Sequence, residues 1–309
     1  MNLIPTGSKE QSALLLQAYF QNKSLATLKA YRQDLHDFKD FVEAPTIEQA
    51  TQFLVSQPHG QANLLALNFK AHLKEKGLSP APVNRKLAGL RSLVKLANTL
   101  GLIAWKLEIP NETTESYRDT RGPGEEAFKS MVKMAGESKS KIKAARDIAI
   151  LKLMHDLALR RSSLINLNMS DLELDRGSLW VTLKKRSEKK LKTLPASTQA
   201  VLEAWLEIRG REDGPVSTNL DRAGKGQRLT GTSLYRIVRG YGELIGIKTR
   251  PHGIRHTAIT EAVKKAQAIG IGLDEVMDFS DHRNLSTLMI YRDRERDLQG
   301  RLSELISTL

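Results

Sequence analysis

The sequence predicts a mainly α-helical protein of two domains, with a small β-hairpin or sheet in the second domain. Three observations lead to this prediction. Apolar residues recur at spacings of three and four along most of the chain. A polar stretch without such a period interrupts them near residue 110, and one alternating, β-rich stretch follows in the second half. At 309 residues, the chain is long enough to form two hydrophobic cores.

The first two helices are predicted from apolar stripes. Residues 24–43, SLATLKAYRQDLHDFKDFVE, repeat apolar side chains every three or four positions, namely Leu28, Tyr31, Leu35, Phe38 and Phe41 or Val42. Ser24 or Thr27 can cap the start of this helix. A second helix is predicted over ANLLALNFKAHLKEKG, where Gly77 ends it.

A third helix is predicted after LSPAPVNRK, with apolar positions from Leu87 to Leu96 or Ala97 and an end at Gly101. Its more polar sides carry four cations, which are Arg85, Lys86, Arg91 and Lys95. These side chains could contact phosphate groups, and a solvated helix face is an equally simple interpretation.

A linker is predicted next. The stretch IPNETTESYRDTRGPG, residues 109–124, is polar, contains Pro and Gly, and has no helical or strand period. We therefore predict a helical domain over residues 1–110, a linker over 111–124 and a second domain over 125–309.

The second domain begins with helical patterns in EEAFKSMVKMAGE and KSKIKAARDIAILKLMHDLALR. The pattern then changes, because GSLWVTL alternates, KKRSEKK is a polar turn and LKTLP resembles a short return strand. From TGTSLYRIVRGYGELIG onward the pattern is helical again. The sequence thus predicts one hairpin inside a helical domain.

Composition narrows the class of protein. The chain has no Cys, which excludes a disulfide scaffold and a thiolate metal site. It shows no signal peptide and no apolar run of membrane-spanning length, so we expect a cytoplasmic protein that does not enter a membrane. The net charge is +13 and the pI about 9.8, which favours a polyanionic partner, with nucleic acid first and an anionic membrane surface second. A merely basic protein is the plain alternative on charge alone.

Several residues could act on a phosphate. Arg160 ends an apolar helix and can hold an anion through two N–H groups. In HGIRH, His252 and Arg255 are three apart and share a helix face. His282 is followed nine residues later by Tyr291. A zinc site is not predicted, because no matching set of His or carboxylates stands nearby at ligand spacing.

In this order, the residues resemble the tyrosine recombinase (phage integrase) family, including its Xer recombinases and integron integrases. The resemblance covers nearly the whole chain: residues 1–110 look like the helical core-binding domain and 125–309 like the catalytic domain. It implies a C-shaped clamp on DNA and a C-terminal helix that docks on a neighbouring protomer, although the apolar stripe of that helix could also pack on its own domain. The catalytic residues it implies are Arg160, Lys185, His252, Arg255, His282 and Tyr291.

The resemblance also implies the chemistry. Arg160, Arg255 and His282 hold the phosphate, Tyr291 attacks it, and His252 is the general base. Lys185, with Lys184 as the rival, protonates the departing 5′-oxygen. The product is a 3′-phosphotyrosyl enzyme, formed without a metal ion, another cofactor or ATP. Among the hairpin cations, Lys184 and Arg186 are further candidates for DNA contact.

This chain departs from the family at three places. Ser163 stands where an acidic residue often follows the first arginine. The usual Leu-Gly-His before the second histidine is Ser280-Asp281-His282, and AQAIGIGLDEVMDF is slightly long. The role of His256, directly after Arg255, stays open.

The implied partners are a double-stranded DNA recombination site and three further copies of the chain, which form a homotetramer on two duplexes. Accessory DNA-bending proteins are compatible with this scheme. Two alternatives remain at this point. One is a non-catalytic DNA-binding regulator with the same fold, and the other is a strand-cleaving enzyme of the type IB topoisomerase kind.

Overall fold

The computed structural model describes residues 8–21, 23–113, 122–183, 188–282, 284–293, 303–304 and 306–307. The chain divides into two compact units, Met1–Arg118 and Asp119–Leu309. The described residues are mostly helical, and the second unit contains a small antiparallel sheet. The predicted fold class is confirmed at this level, whereas the C-shaped clamp stays a prediction.

The first unit is a bundle of helices, and its described helices are α1 (Ser8–Phe20), α2 (Leu25–Phe41), α3 (Ile47–Ser56), α4 (His59–Glu75) and α5 (Pro80–Thr99). Ser24 caps α2 by accepting a hydrogen bond from the Thr27 amide. Leu35, Phe38 and Leu87 from the predicted stripes lie in the core. Helices α1 and α3 were not predicted.

Part of the predicted linker packs on the first unit. The backbone of Glu112 exchanges two hydrogen bonds with the Asn84 side chain, at 2.7 and 2.9 Å. The Glu112 carboxylate also pairs with Lys70 and Lys74 on α4. Residues 109–113 therefore belong to the first unit, and the boundary between the two units lies after Arg118.

The second unit is built around α7, which packs against α6, α9 and α11. Its described helices are α6 (Glu125–Gly136), α7 (Lys141–Asp156), α8 (Arg161–Ile165), α9 (Ala196–Arg209), α10 (Gly231–Leu244), α11 (Pro251–Ala268), α12 (Leu273–Ser280) and α13 (Leu285–Asp293). No helix among the described residues is long and apolar enough to cross a membrane.

The sheet has three antiparallel strands in the order β1 (Leu172–Glu173), β2 (Ser178–Thr182) and β3 (Lys189–Thr193). Leu179 and Val181 of β2 are fully buried, while Trp180 between them is 36% exposed, as the alternating pattern predicts. The two-residue strand β1 was not predicted. In β3 the inward position opposite Leu179 is Lys192, which is only 7% exposed.

A second, smaller core joins α11, α12 and α13. Ile259 and Val263 of α11 pack with Val276 of α12, and Leu288 and Tyr291 of α13 complete the cluster. This core fixes the last described helix against the middle of the unit. Most of the predicted C-terminal docking helix lies outside the described residues.

Candidate active site

Arg160 lies at the end of a tight turn between α7 and α8. The turn closes α7 with hydrogen bonds from the Ala158 amide to His155 O (3.0 Å) and from the Leu159 amide to Met154 O (3.1 Å). Ala158 takes the left-handed conformation that ends many helices, with φ +46°. Arg160 is the N-cap residue of α8, and its Nη2 donates to Asp281 O at 3.1 Å.

Arg255 lies in the first turns of α11, which begins with Pro251 at a favoured position. Its side chain is buried, and its Nη1 and Nη2 donate to Ala158 O and Ser280 O. Burial and the neighbouring Arg160 lower the pKa of Arg255 to about 10. The group stays charged at neutral pH, and an anion beside the two guanidiniums would relieve their repulsion.

His252 stands at the start of α11 with an exposed side chain. Desolvation of the ring by the surrounding protein, then the charges of Arg255, Arg250 and Arg160, lower the pKa of His252 below its ordinary value. The imidazole is therefore neutral at pH 7 and can accept a proton.

His282 follows directly after α12. Burial, then Arg255 and Arg160, lower the pKa of His282 to about 4, so this imidazole is also neutral. Its Nδ1 lies 3.1 Å from Ser280 Oγ. If the Ser280 hydroxyl donates to Nδ1, the ring proton is on Nε2, and His282 can donate one hydrogen bond outward.

Tyr291 projects from α13 and is 6% exposed. Its ring centroid lies 4.5 Å from that of His256 and 5.7 Å from that of His282. Leu288, one turn earlier, is fully buried and anchors α13 in the small core. Leu288 thus helps to hold the phenol beside the two imidazoles.

The structure therefore brings Arg160, His252, Arg255, His282 and Tyr291 into one region of the second unit. Tyr291 is close enough to Arg255 for a charge interaction between the two side chains to raise the pKa of Arg255. His256, whose role the sequence left open, packs on the phenol ring. Among the described residues, no group of three or more His, Asp or Glu side chains is arranged to hold a metal ion.

Three of the predicted residues, Lys184, Lys185 and Arg186, lie outside the described residues. Ser163 occupies the position that is often acidic in the family. It is buried, and its Oγ donates to Thr182 O at 3.0 Å. Ser163 thus links α8 to the end of β2.

The four cations predicted on α5 differ in their exposure and in their hydrogen-bond and ion-pair partners. Lys86 is 5% exposed and pairs with Asp34 and Asp37, so the predicted phosphate contact of Lys86 is withdrawn: its charge is neutralised inside the helical unit. Arg85 is exposed but also pairs with Asp34, at 2.6 Å.

The other two cations of this set differ again. Arg91 donates to Ile109 O (2.7 Å) and to Asn111 Oδ1 (2.6 Å), which holds the chain after α5. Lys95 is exposed and stays a candidate for DNA contact.

Sequence reasoning missed four side chains around the predicted set. Ser280 contacts His282, and Asp281 contacts Lys190 and Lys192 of β3. The signal available in the sequence was the Ser-Asp-His departure from the family pattern. The pairing with β3 spans about 90 positions along the chain, and no local pattern reveals it.

Comparison with known proteins gives consistent results. The model of the phage integrase family matches residues 126–297. A tyrosine recombinase of Synechococcus elongatus is 34% identical over 295 residues, which cover 93% of this chain and 91% of that protein.

Two solved structures share the fold. The XerH site-specific recombinase bound to a palindromic difH substrate, in a post-cleavage complex, gives a TM-score of 0.70 at 20% identity and covers 98% of this chain and 85% of that one. A lambda integrase tetramer bound to a Holliday junction gives 0.65 at 16% identity, covering 92% and 78%.

Proposed function

The chain belongs to the phage integrase family of tyrosine recombinases, and we propose that it is a site-specific DNA recombinase that cuts and rejoins strands through Tyr291. The observation that carries the proposal is the contact of the Tyr291 ring with the His282 ring, beside two buried or half-buried guanidiniums. A phenol in such a cationic centre is suited to attack a phosphodiester.

Phosphate binding falls to Arg160 and Arg255. A phosphodiester repels nucleophiles because its non-bridging oxygens are negatively charged, and the transition state carries more charge on them. Two guanidiniums and the Nε2–H of His282 can each donate to these oxygens. Burial, then the neighbouring Arg160, lower the pKa of Arg255, and a phosphate beside the two guanidiniums would relieve the repulsion between them, which supports this assignment.

Tyr291 then attacks phosphorus. Its phenol has an ordinary pKa of ~10 and must lose a proton at neutral pH. We assign the general base to His252, because its imidazole is neutral and accessible at the start of α11. His256 lies against the Tyr291 ring, and we assign it the role of orienting the phenol.

Lys185, or Lys184 in its place, protonates the 5′-oxygen as the P–O bond breaks. The phosphorus–oxygen bond to Tyr291 replaces the bond to the departing strand, so bond energy is kept in the 3′-phosphotyrosyl link. A 5′-hydroxyl from another duplex can reverse the step and reseal the backbone. The proposed reaction requires neither a metal ion nor ATP.

We further propose that four copies act on two double-stranded recombination sites. The lambda integrase relative was solved as a tetramer on a Holliday junction, which supports this assembly by shared fold. The net charge of +13 suits a protein that brings two duplexes together.

Strand exchange tests the proposal. A DNA site is first selected from a random pool by binding, and labelled and unlabelled copies of it are then mixed with the protein. We expect labelled strands joined to the unlabelled duplex and four-way junction intermediates. Relaxation of supercoiled DNA without exchange would indicate the topoisomerase-like enzyme. Binding with neither reaction would indicate the non-catalytic regulator.

A further inference from the structure

The C-terminal turn of α12 is capped by four cationic side chains. The last carbonyls of a helix have no partner within the helix and lie at the negative end of its dipole. Here four consecutive carbonyls each accept from a different cation: Asp278 O from Lys190 (2.6 Å), Phe279 O from Lys192 (2.7 Å), Ser280 O from Arg255 and Asp281 O from Arg160 (3.1 Å).

The two arginines that hold the phosphate in the proposed reaction therefore share one scaffold. Arg160 comes from the α7–α8 turn and Arg255 from α11. Each donates one N–H group to a carbonyl at the end of α12. The direction of both guanidiniums depends on where the turn lies.

Asp281 occupies the end of that turn in an unusual conformation. Its backbone is left-handed, with φ +53° and ψ +35°, a region that favours glycine and, after it, Asn and Asp. Its carboxylate is 4% exposed and lies between two lysines, with Oδ1 at 3.2 Å from Lys190 Nζ and Oδ2 at 3.2 Å from Lys192 Nζ. The side chain thus joins β3 to the end of α12.

The carboxylate is also a counter-charge for the cationic centre. Burial, then Lys190 and Arg255, lower the pKa of Lys192, and Asp281 opposes this shift. Asp281 likewise raises the pKa of Arg255 and of His282 against the repulsion of their neighbours. Without this charge, the cations at the turn would repel one another with less compensation.

We propose that Asp281 is a positioning residue for strand cleavage, whose carboxylate ties Lys190 and Lys192 to the α12 turn and so aims Arg160 and Arg255 at the scissile phosphate. The inference rests on the proposed function of this site. Asp281 touches no reacting atom, and its effect passes through the two arginines.

The test compares Asp281→Asn and Asp281→Gly with the wild type. Both replacements accept a positive φ, so they remove the negative charge without straining the turn. The substrate is the selected site, nicked so that cleavage cannot reverse, with either the natural phosphate or a methylphosphonate at the cleaved position. The methyl group removes the negative charge that the guanidiniums must neutralise.

On the natural phosphate at saturating DNA, we expect both variants to cleave about 10- to 100-fold more slowly than the wild type, with unchanged DNA affinity. On the methylphosphonate the difference should shrink to a few-fold, because misaimed arginines matter less there. A general loss of structure would slow both substrates equally and would overturn the proposal. So would variants that cleave the natural phosphate at the wild-type rate.

Lys189→Gln is the matched control. Lys189 lies on the same strand but pairs with Asp171, away from α12. This variant should cleave both substrates at the wild-type rate. If the Asp281 variants do not fold, as judged by thermal unfolding, Lys190→Gln removes one partner of the carboxylate and should show a smaller loss with the same preference for methylphosphonate.

Different results would overturn the proposed function and the positioning role of Asp281. A wild-type protein that binds DNA but cleaves neither substrate would overturn the proposed function, and the positioning role would fall with it. A wild-type protein that cleaves while Asp281→Asn and Asp281→Gly match it on both substrates would overturn the positioning role alone.

Discussion

At the residue scale, we expect the hydroxyl of Ser280 to decide which nitrogen of His282 carries the proton. Ser280 is fully buried, and its Oγ is 3.1 Å from His282 Nδ1. In the proposed mechanism, Ser280→Ala removes the group that favours the Nε2–H form and so weakens the proposed hydrogen bond from His282 to the phosphate. We expect cleavage of the nicked substrate to slow by about 10- to 100-fold, the range for one hydrogen bond to a charged group.

Ser163→Ala is the control for that variant, because Ser163 is also buried and bonded to a backbone carbonyl but does not contact His282. Its cleavage rate should stay within a few-fold of the wild type. Equal rates for Ser280→Ala and the wild type would contradict the tautomer assignment.

His282 also makes stability depend on pH. Its pKa is about 4 in the folded protein and 6.5 in an unfolded chain, so between these values the unfolded state binds a proton that the folded state does not. Stability should therefore be level, for this group, above pH 6.5 and fall as the pH is lowered towards 4. Thermal unfolding of the wild type and of His282→Gln, measured across this range, checks the prediction.

The variant should show a shallower fall than the wild type, with the remainder coming from His252 and the carboxylates. Identical slopes for the two proteins would contradict a lowered pKa at His282. A chemical shift titration of the His282 ring gives the same answer directly.

Most of the candidate site followed from the sequence at this scale, because Arg160, Arg255, His282 and Tyr291 each stand in a short local motif. Their supporting partners did not. The bonds from Lys190 and Lys192 to Asp278, Phe279 and Asp281 join segments about 90 residues apart, and such pairing depends on how β3 packs on α12.

At the element scale, α5 illustrates what a helical pattern leaves undetermined. Apolar spacing predicted its core face correctly, and Leu87, Leu90 and Leu93 are all buried. The same pattern placed Lys86 on a polar side, but there it is buried between Asp34 and Asp37 of α2. Acidic partners on another helix are not visible in the periodicity of α5.

Lys86→Met should therefore act on stability. It leaves Asp34 buried with fewer cations around it, and breaking a buried pair from one side costs about 3–5 kcal/mol. We expect the free energy of unfolding to fall by about 3 kcal/mol, since Arg85 still pairs with Asp34. Urea unfolding measures this change.

Lys95→Met is the matched variant on the exposed side of α5. Its unfolding free energy should stay at the wild-type value. For its binding to DNA, the slope of log K against log salt concentration should become shallower by about one unit, as expected when one phosphate contact is removed. A Lys86→Met protein that is as stable as Lys95→Met would contradict the buried assignment.

The short elements were the least predictable. The strand β1 has two residues and depends on pairing with β2, and the short α3 begins at a Thr46 cap after a brief turn. β1 is too short to show a period of its own, whereas the buried residues Ala50, Thr51 and Leu54 of α3 do repeat at helical spacing, and the sequence prediction missed them. Longer elements such as α2 and α4 were predicted because several turns repeat the same apolar face.

For the whole molecule, the two-unit architecture and the positive net charge are both as expected for the proposed DNA-binding function. Two units each have their own core, and the chain carries +13 overall. For duplexes of random sequence, we expect the logarithm of the binding constant to fall steeply and linearly with the logarithm of the salt concentration, because this binding depends on phosphate contacts. Fluorescence anisotropy across a salt series measures the slope, and affinity that does not change with salt would contradict an electrostatic interface.

The central claim is that Tyr291 is the nucleophile. The most direct measurement mixes the nicked, selected DNA site with the wild type and with Tyr291→Phe, in EDTA, and looks for a covalent protein–DNA adduct on a denaturing gel. We expect an adduct with the wild type alone, linked through a phosphotyrosine that peptide mass spectrometry assigns to Tyr291. An adduct of equal yield with Tyr291→Phe, or one mapped to another residue, would contradict it.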